Sequence, residues 1–125
     1  MGKLEKLQLF LSEIDKICER TGKNSDELII LGASKSQKVD TIKQVLSKGI
    51  QHFGENFLQE AEPKILTISD IPTWHFIGAI QSRKAKKIAS LFDWVQTVDR
   101  IKVAEKLNQH RPLEMKKLNV CVQVN

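Results

Sequence analysis

Tyrosine is absent from this 125-residue chain, and cysteine, methionine, tryptophan and histidine each occur only two or three times. The missing phenol closes any chemistry that needs a tyrosine acid or base within the chain. Cys18 and Cys121 lie far apart and show no CxxC or CxxH spacing, which argues against a zinc framework or a disulfide scaffold. His52, His75 and His110 show no ligand spacing either, so no metal is assigned. No apolar stretch approaches the roughly 18 residues of a membrane span. The Met1–Glu5 start has neither a signal-peptide apolar core nor the hydroxyl residue of a myristoylation site. A cytoplasmic protein with no membrane partner is therefore expected.

What is present is ordinary for one globular domain over residues 1–125, with 41% hydrophobic and 28% charged residues. The net charge of +5 permits a phosphorylated small molecule or a polyanion as partner without requiring one. The one dense basic cluster, Arg83-Lys84-Ala85-Lys86-Lys87, has no interleaved aromatics. It reads as a solvated helix turn, and no nucleic-acid partner is expected.

Periodicity organises the rest. Leu4, Leu7, Leu11, Ile14 and Cys18 recur at helical spacing and predict a first amphipathic helix. Short apolar or alternating runs follow at Leu28–Ser34, Gln51–Gly54, Thr73–Gly78, Trp94–Val98 and Leu118–Val124. The intervals hold helices at Val39–Ser47, Phe57–Ile68, Arg83–Phe92 and Arg100–His110. Strands alternating with helices imply a parallel sheet with right-handed crossovers. Gly49 suits a left-handed helix end and Asp99 an N-cap. Pro63 is expected to kink the third of the five helices or to move its start to near Glu62, because an interior proline removes a hydrogen bond.

In the fifth strand Val120, Val122 and Val124 share one face, and Asn119, Cys121, Gln123 and Asn125 the other. That parity suits a fully buried strand between packed helices and a polar, ligand-lined barrel interior. Ending on this strand would leave an open edge, so the chain reads as a truncated barrel prone to self-association there. An open doubly wound sheet is the alternative, but Ser34-Lys35-Ser36-Gln37-Lys38 lacks a phosphate-binding glycine pattern.

Lys35 ends the first of these apolar runs. Locally it reads as the first solvated residue of a loop, or as a lysine poised where barrels place their active sites and able to form an imine with an aldehyde. Taken together, Gly32-Ala33-Ser34-Lys35, His52-Phe53-Gly54-Glu55-Asn56-Phe57-Leu58-Gln59-Glu60, Trp74-His75-Phe76-Ile77-Gly78-Ala79-Ile80-Gln81-Ser82 and Val98-Asp99-Arg100 resemble the pyridoxal phosphate homeostasis protein family. The resemblance runs from the first helix to Asn125.

The resemblance implies an α/β fold, a parallel β/α barrel of the alanine racemase N-terminal (TIM-like) type, here about five of eight strands. It implies that Lys35 holds pyridoxal 5′-phosphate as an aldimine, in a protein of vitamin B6 and amino-acid homeostasis without robust turnover. Asn56 matches the family's asparagine after the second strand and serves as a cofactor contact, a helix cap, or both. Glu55 is expected to orient neighbouring backbone or lysines. His75 and Ile77 share a strand face opposite Trp74 and Phe76; they are read as facing inward, with Ile77 lining the cofactor pocket. Asn125 completes the candidate cofactor contacts, and no catalytic residue is assigned. Lys38 or Lys84 would help lower the pKa of Lys35.

Departures from the family pattern include Ser36-Gln37-Lys38 after the lysine, Phe57 where tyrosine is frequent, Ala79 for histidine and Arg83 for asparagine. The family's phosphate-holding groups lie beyond the later strands, so this stretch keeps the covalent anchor without the anionic clamp and is expected to bind weakly. A racemase-type enzyme is the related alternative, opposed by the absence of tyrosine. A noncatalytic interaction module using the basic surface or the open strand edge is the alternative from another class.

Overall fold

The computed structural model describes residues 1–68 and 71–125. Helix α1 (Lys3–Thr21) precedes an alternating series: β1 (Leu31–Ala33), α2 (Val39–Ser47), β2 (His52–Glu55), α3 (Leu58–Ile68), β3 (Thr73–Phe76), α4 (Ala85–Leu91), β4 (Trp94–Val98), α5 (Ile101–His110) and β5 (Asn119–Val122). The five strands form one sheet in sequential order, and every neighbouring pair is parallel. All five carboxyl ends therefore lie along the same edge.

The core lies between the helices and one face of this sheet. Phe53, Trp74, Phe76 and Val95 project from the strands into a buried cluster with Ile42, Ala61, Ile65, Ile88, Ala89, Val103 and Leu107 of the helices. Phe76 meets Phe92 edge-on at 5.2 Å between centroids, the geometry aromatic quadrupoles favour. Strand alternation sends the intervening residues to the other face. His52, Gly54, His75, Ile77, Trp94 and Gln96 accordingly stand away from the helix layer, a face considerably more polar than the core side.

Three expectations need correction. First, β5 is not buried: Val120, Val122 and Val124 are 51%, 74% and 85% exposed. Among the described residues it pairs with β4 alone, and burial of a strand depends on neighbours that its own alternation cannot supply. Second, α3 starts at Leu58 and runs through Pro63, so the helix does not begin near Glu62. Pro63 is exposed, so its ring meets solvent on the outer side of the helix. Third, the N-cap of α5 is Arg100, without a side-chain cap bond; Asp99 pairs instead with the Arg100 guanidinium at 3.5 Å. Gly49, at φ 102°, does take the left-handed turn after α2, with its N–H donating to the Leu46 carbonyl at 3.1 Å.

Candidate functional site

Parallel register sets the site. Ala33 is level with Gly54, and Gly54 with His75. The ladder continues beyond the formal strand ends, the Ser34 N–H donating to the Gly54 carbonyl and the Ile77 N–H to the Glu55 carbonyl, both at 2.9 Å. Lys35, Asn56 and Ile77 then follow just past the carboxyl ends of three adjacent strands. Two glycines permit this closeness. A Cβ on Gly78 would meet the Asn56 Cα at 2.8 Å, and one on Gly54 would meet the Ile77 Cδ1 at 2.8 Å and the Leu31 Cδ2 at 2.9 Å.

Lys35 is exposed. It occupies the second position of a turn in which the Gln37 N–H donates to the Ser34 carbonyl at 3.1 Å. Ser36, at the third position, has φ 61°, a left-handed conformation that a non-glycine residue adopts at a cost of about 1–2 kcal/mol.

Asn56 is partly buried, yet its Oδ1 is a buried oxygen without a hydrogen-bond partner. It does not cap α3 through that atom, so the capping alternative fails and an unpaired acceptor remains just past the end of β2. Asn56 also lines a cleft of about 450 Å³ between the starts of α3 and α4, together with Phe57, Gln59, Gly78, Gln81 and Lys84.

His75 is buried and doubly engaged. Its Nε2 lies 2.9 Å from His52 Nδ1 and its Nδ1 3.0 Å from Gln96 Nε2. Its ring stacks on Trp94 with centroids 5.3 Å apart and planes 13° from parallel. With the Gln96 amide donating to Nδ1, Nε2 carries the proton and donates to His52. Burial, and then the neighbouring His52, push the His75 pKa down from 6.5 to about 4, so the ring is neutral near pH 7. Asn125 is exposed at the far end of the sheet, where its Oδ1 accepts from Gln123 Nε2 at 3.5 Å.

A charged network beneath Lys35 is the part sequence reasoning missed. The Lys64 ammonium donates to the Ser34 carbonyl at 2.9 Å, to both Glu55 oxygens at 3.1 and 3.2 Å and to Glu60 Oε1 at 2.9 Å. The Ser34 hydroxyl donates to Glu55 Oε2, and the Ser36 N–H to Glu60 Oε1. Glu55 is fully buried, in keeping with a part in orienting backbone and lysine. The signal for Lys64 was its place on the apolar stripe Ala61, Lys64, Ile65, Ile68, all of which are buried. The bond from Lys64, and then that from Ser36, hold the Glu60 carboxyl below its usual range.

No family model matches the chain. It is 38% identical over 122 residues to the pyridoxal phosphate homeostasis protein of Pseudomonas aeruginosa, covering 97% of this chain and 53% of that protein. The corresponding protein of Buchnera aphidicola from Acyrthosiphon pisum is 46% identical over 101 residues, covering 79% and 50%. That of Escherichia coli K12 is 37% identical over 117 residues, covering 90% and 50%. The chain thus spans about half the length of the curated relatives it matches.

Among solved structures, PipY of Synechococcus elongatus PCC7942 with PLP bound superposes with a TM-score of 0.62 at 34% identity, covering 78% of this chain and 47% of PipY. A protein of Bifidobacterium adolescentis described as unknown shares the fold, with a TM-score of 0.68 at 23% identity, covering 87% and 51%. On these likenesses the chain belongs to the pyridoxal phosphate homeostasis protein family, along the N-terminal part of its members.

Proposed function

We propose that the chain binds pyridoxal 5′-phosphate through Lys35 and serves vitamin B6 and amino-acid homeostasis in the cytoplasm. The observation that carries this reading is the row of Lys35, Asn56 and Ile77 at three adjacent strand ends, with the buried Asn56 Oδ1 lacking a partner. The residues fit the cofactor: an exposed amine after β1, an unpaired acceptor after the neighbouring β2 and an apolar side chain over Gly54. When bound, the cofactor supplies an aldehyde carbon that a neutral lysine amine attacks with loss of water. Lys35 would hold that carbon, Asn56 would accept a hydrogen bond, and Ile77 would pack against the ring.

His75 belongs to the floor of the same face. Its two nitrogens are already engaged, and the chain has no tyrosine; both favour binding and buffering of the cofactor over turnover. Asn125 extends the polar row at the distant end of the sheet. Residues 1–125 form one unit in this reading, about five strands of an eight-stranded barrel. Two free cysteines, Cys18 and Cys121, suit a reducing compartment. The exposed β5 edge is the surface through which copies associate.

The test is titration of the chain with pyridoxal 5′-phosphate, followed by its visible absorption. The wild type should develop a band distinct from the free aldehyde, and Lys35→Ala should not. An equal band in the two proteins would remove Lys35 from the site.

A further inference from the structure

We infer that Glu60, held in place by Lys64, is a positioning residue for Lys35. This rests on the reading of Lys35 as the cofactor lysine. Lys35 sits between Ser34 and Ser36, and both neighbours are tied down. The Ser34 carbonyl accepts from Lys64 Nζ at 2.9 Å as well as from the Gln37 N–H at 3.1 Å. The Ser34 N–H donates to the Gly54 carbonyl of β2 at 2.9 Å. On the other side the Ser36 N–H donates to Glu60 Oε1, and the same oxygen accepts from Lys64 Nζ at 2.9 Å.

The turn needs such a hold. Ser36 adopts φ 61° at the position where a turn of this kind favours glycine. A strained backbone residue persists only where its surroundings over-determine it. Glu60 and Lys64 do so from one helix, α3, which is anchored in the core through Leu58, Ala61, Ile65 and Ile68.

Lys35 itself takes no part in any ion pair or hydrogen bond found among the described residues. The backbone on either side is fixed while the amine stays free. That arrangement fixes the backbone from which the side chain projects and leaves its nitrogen open to attack an aldehyde. The Glu60 carboxylate also lies in the first turn of α3, where negative charge is favoured, and its depressed pKa keeps it ionised.

In the reaction the Lys35 nitrogen bonds to the aldehyde carbon and the aldehyde oxygen leaves as water. Misplacing a reacting group by about 1 Å costs up to about a hundredfold; loss of one of several anchors should cost about tenfold.

The experiment follows, over time, the pyridoxyl adduct trapped by borohydride on the Lys35 peptide of the full chain, with thermal melts of each variant. Glu60→Ala should label about tenfold more slowly than the wild type while melting within a few degrees of it. Glu60→Gln, which keeps an acceptor for the Ser36 N–H, should recover most of the rate. Glu62→Ala, which removes only the surface pairing with Lys87 on the same helix, should label as the wild type does. If Glu60→Ala melts far below the wild type, Glu60→Asp takes its place, since it keeps the charge but withdraws the oxygen by one methylene; the slower labelling is still expected. Equal rates in the wild type and these variants, or a Glu60→Gln rate as low as that of Glu60→Ala, overturn the role of Glu60. Absence of any Lys35 adduct in the wild type overturns the underlying reading of Lys35 and the inference with it.

Discussion

Lys64 shows how a single side chain ties the interior to the site. Its ammonium is buried with the fully buried Glu55 carboxylate and reaches Glu60 and the backbone of the Lys35 turn. A buried pair adds little over a well-packed apolar replacement, but removing one partner strands the other charge. Lys64→Met should therefore cost about 3–5 kcal/mol in denaturant unfolding. Adding Glu55→Gln should recover a substantial part, because the uncompensated charge is gone. Recovery of nothing in the double variant would mean that packing, not charge, sets the cost. Lys35 was legible as a candidate because it ends an apolar run, and Asn56 because its block resembles that of the family. Lys64 and Glu60 were not, since lysines are mostly exposed and the partner Ser34 lies 30 residues from Lys64. Only its place on the apolar stripe of α3 marked it.

At the level of elements, alternation and periodicity located each α-helix and strand among the described residues but neither short 3-10 turn, and two elements came out with the bounds they were read with, α2 (Val39–Ser47) and β4 (Trp94–Val98). β1 begins at Leu31 and not Leu28, because Leu28 and Ile29 are exposed and only Leu31 onward pairs with β2. A run of apolar residues records preference for burial, while strand length records where a neighbour is available to bond.

The strands also carry a pH dependence. His75 on β3 is held by His52 on β2 and Gln96 on β4, and its pKa is lowered from 6.5 to about 4 by burial first and His52 second. Its neutral form is the folded one, so this contribution is complete above pH 6.5 and is lost as the pH falls toward 4. Protonation would place a new Nδ1–H against the Gln96 amide and a positive charge in a buried site next to His52. Stability measured by denaturant should therefore decline in the upper part of that window, before carboxylates titrate. His75→Asn should flatten the decline while lowering stability at neutral pH. An unchanged slope in the variant would remove His75 as its source.

At the largest scale, helices cover one face of the sheet, and within residues 1–125 β5 is one of its two terminal strands. Val120, Val122 and Val124 expose apolar surface beside unpaired backbone groups, a template for pairing with another strand. Light scattering should show concentration-dependent association, reduced by Val122→Lys; a monodisperse monomer at all concentrations would contradict it. The sequence disclosed the parity of β5 but not its exposure, which depends on what packs against it. The polar face bearing His52, His75 and Gln96 and the carboxyl-end row of Lys35, Asn56 and Ile77 come together only through the register of parallel neighbours.

Whether Lys35 holds the cofactor is decided by borohydride reduction of the chain with saturating pyridoxal 5′-phosphate, followed by mass mapping of all peptides. A pyridoxyl group should concentrate on Lys35, with the other lysines labelled no more than in denatured protein. Labelling spread evenly over the surface lysines, or absent from Lys35, would contradict it.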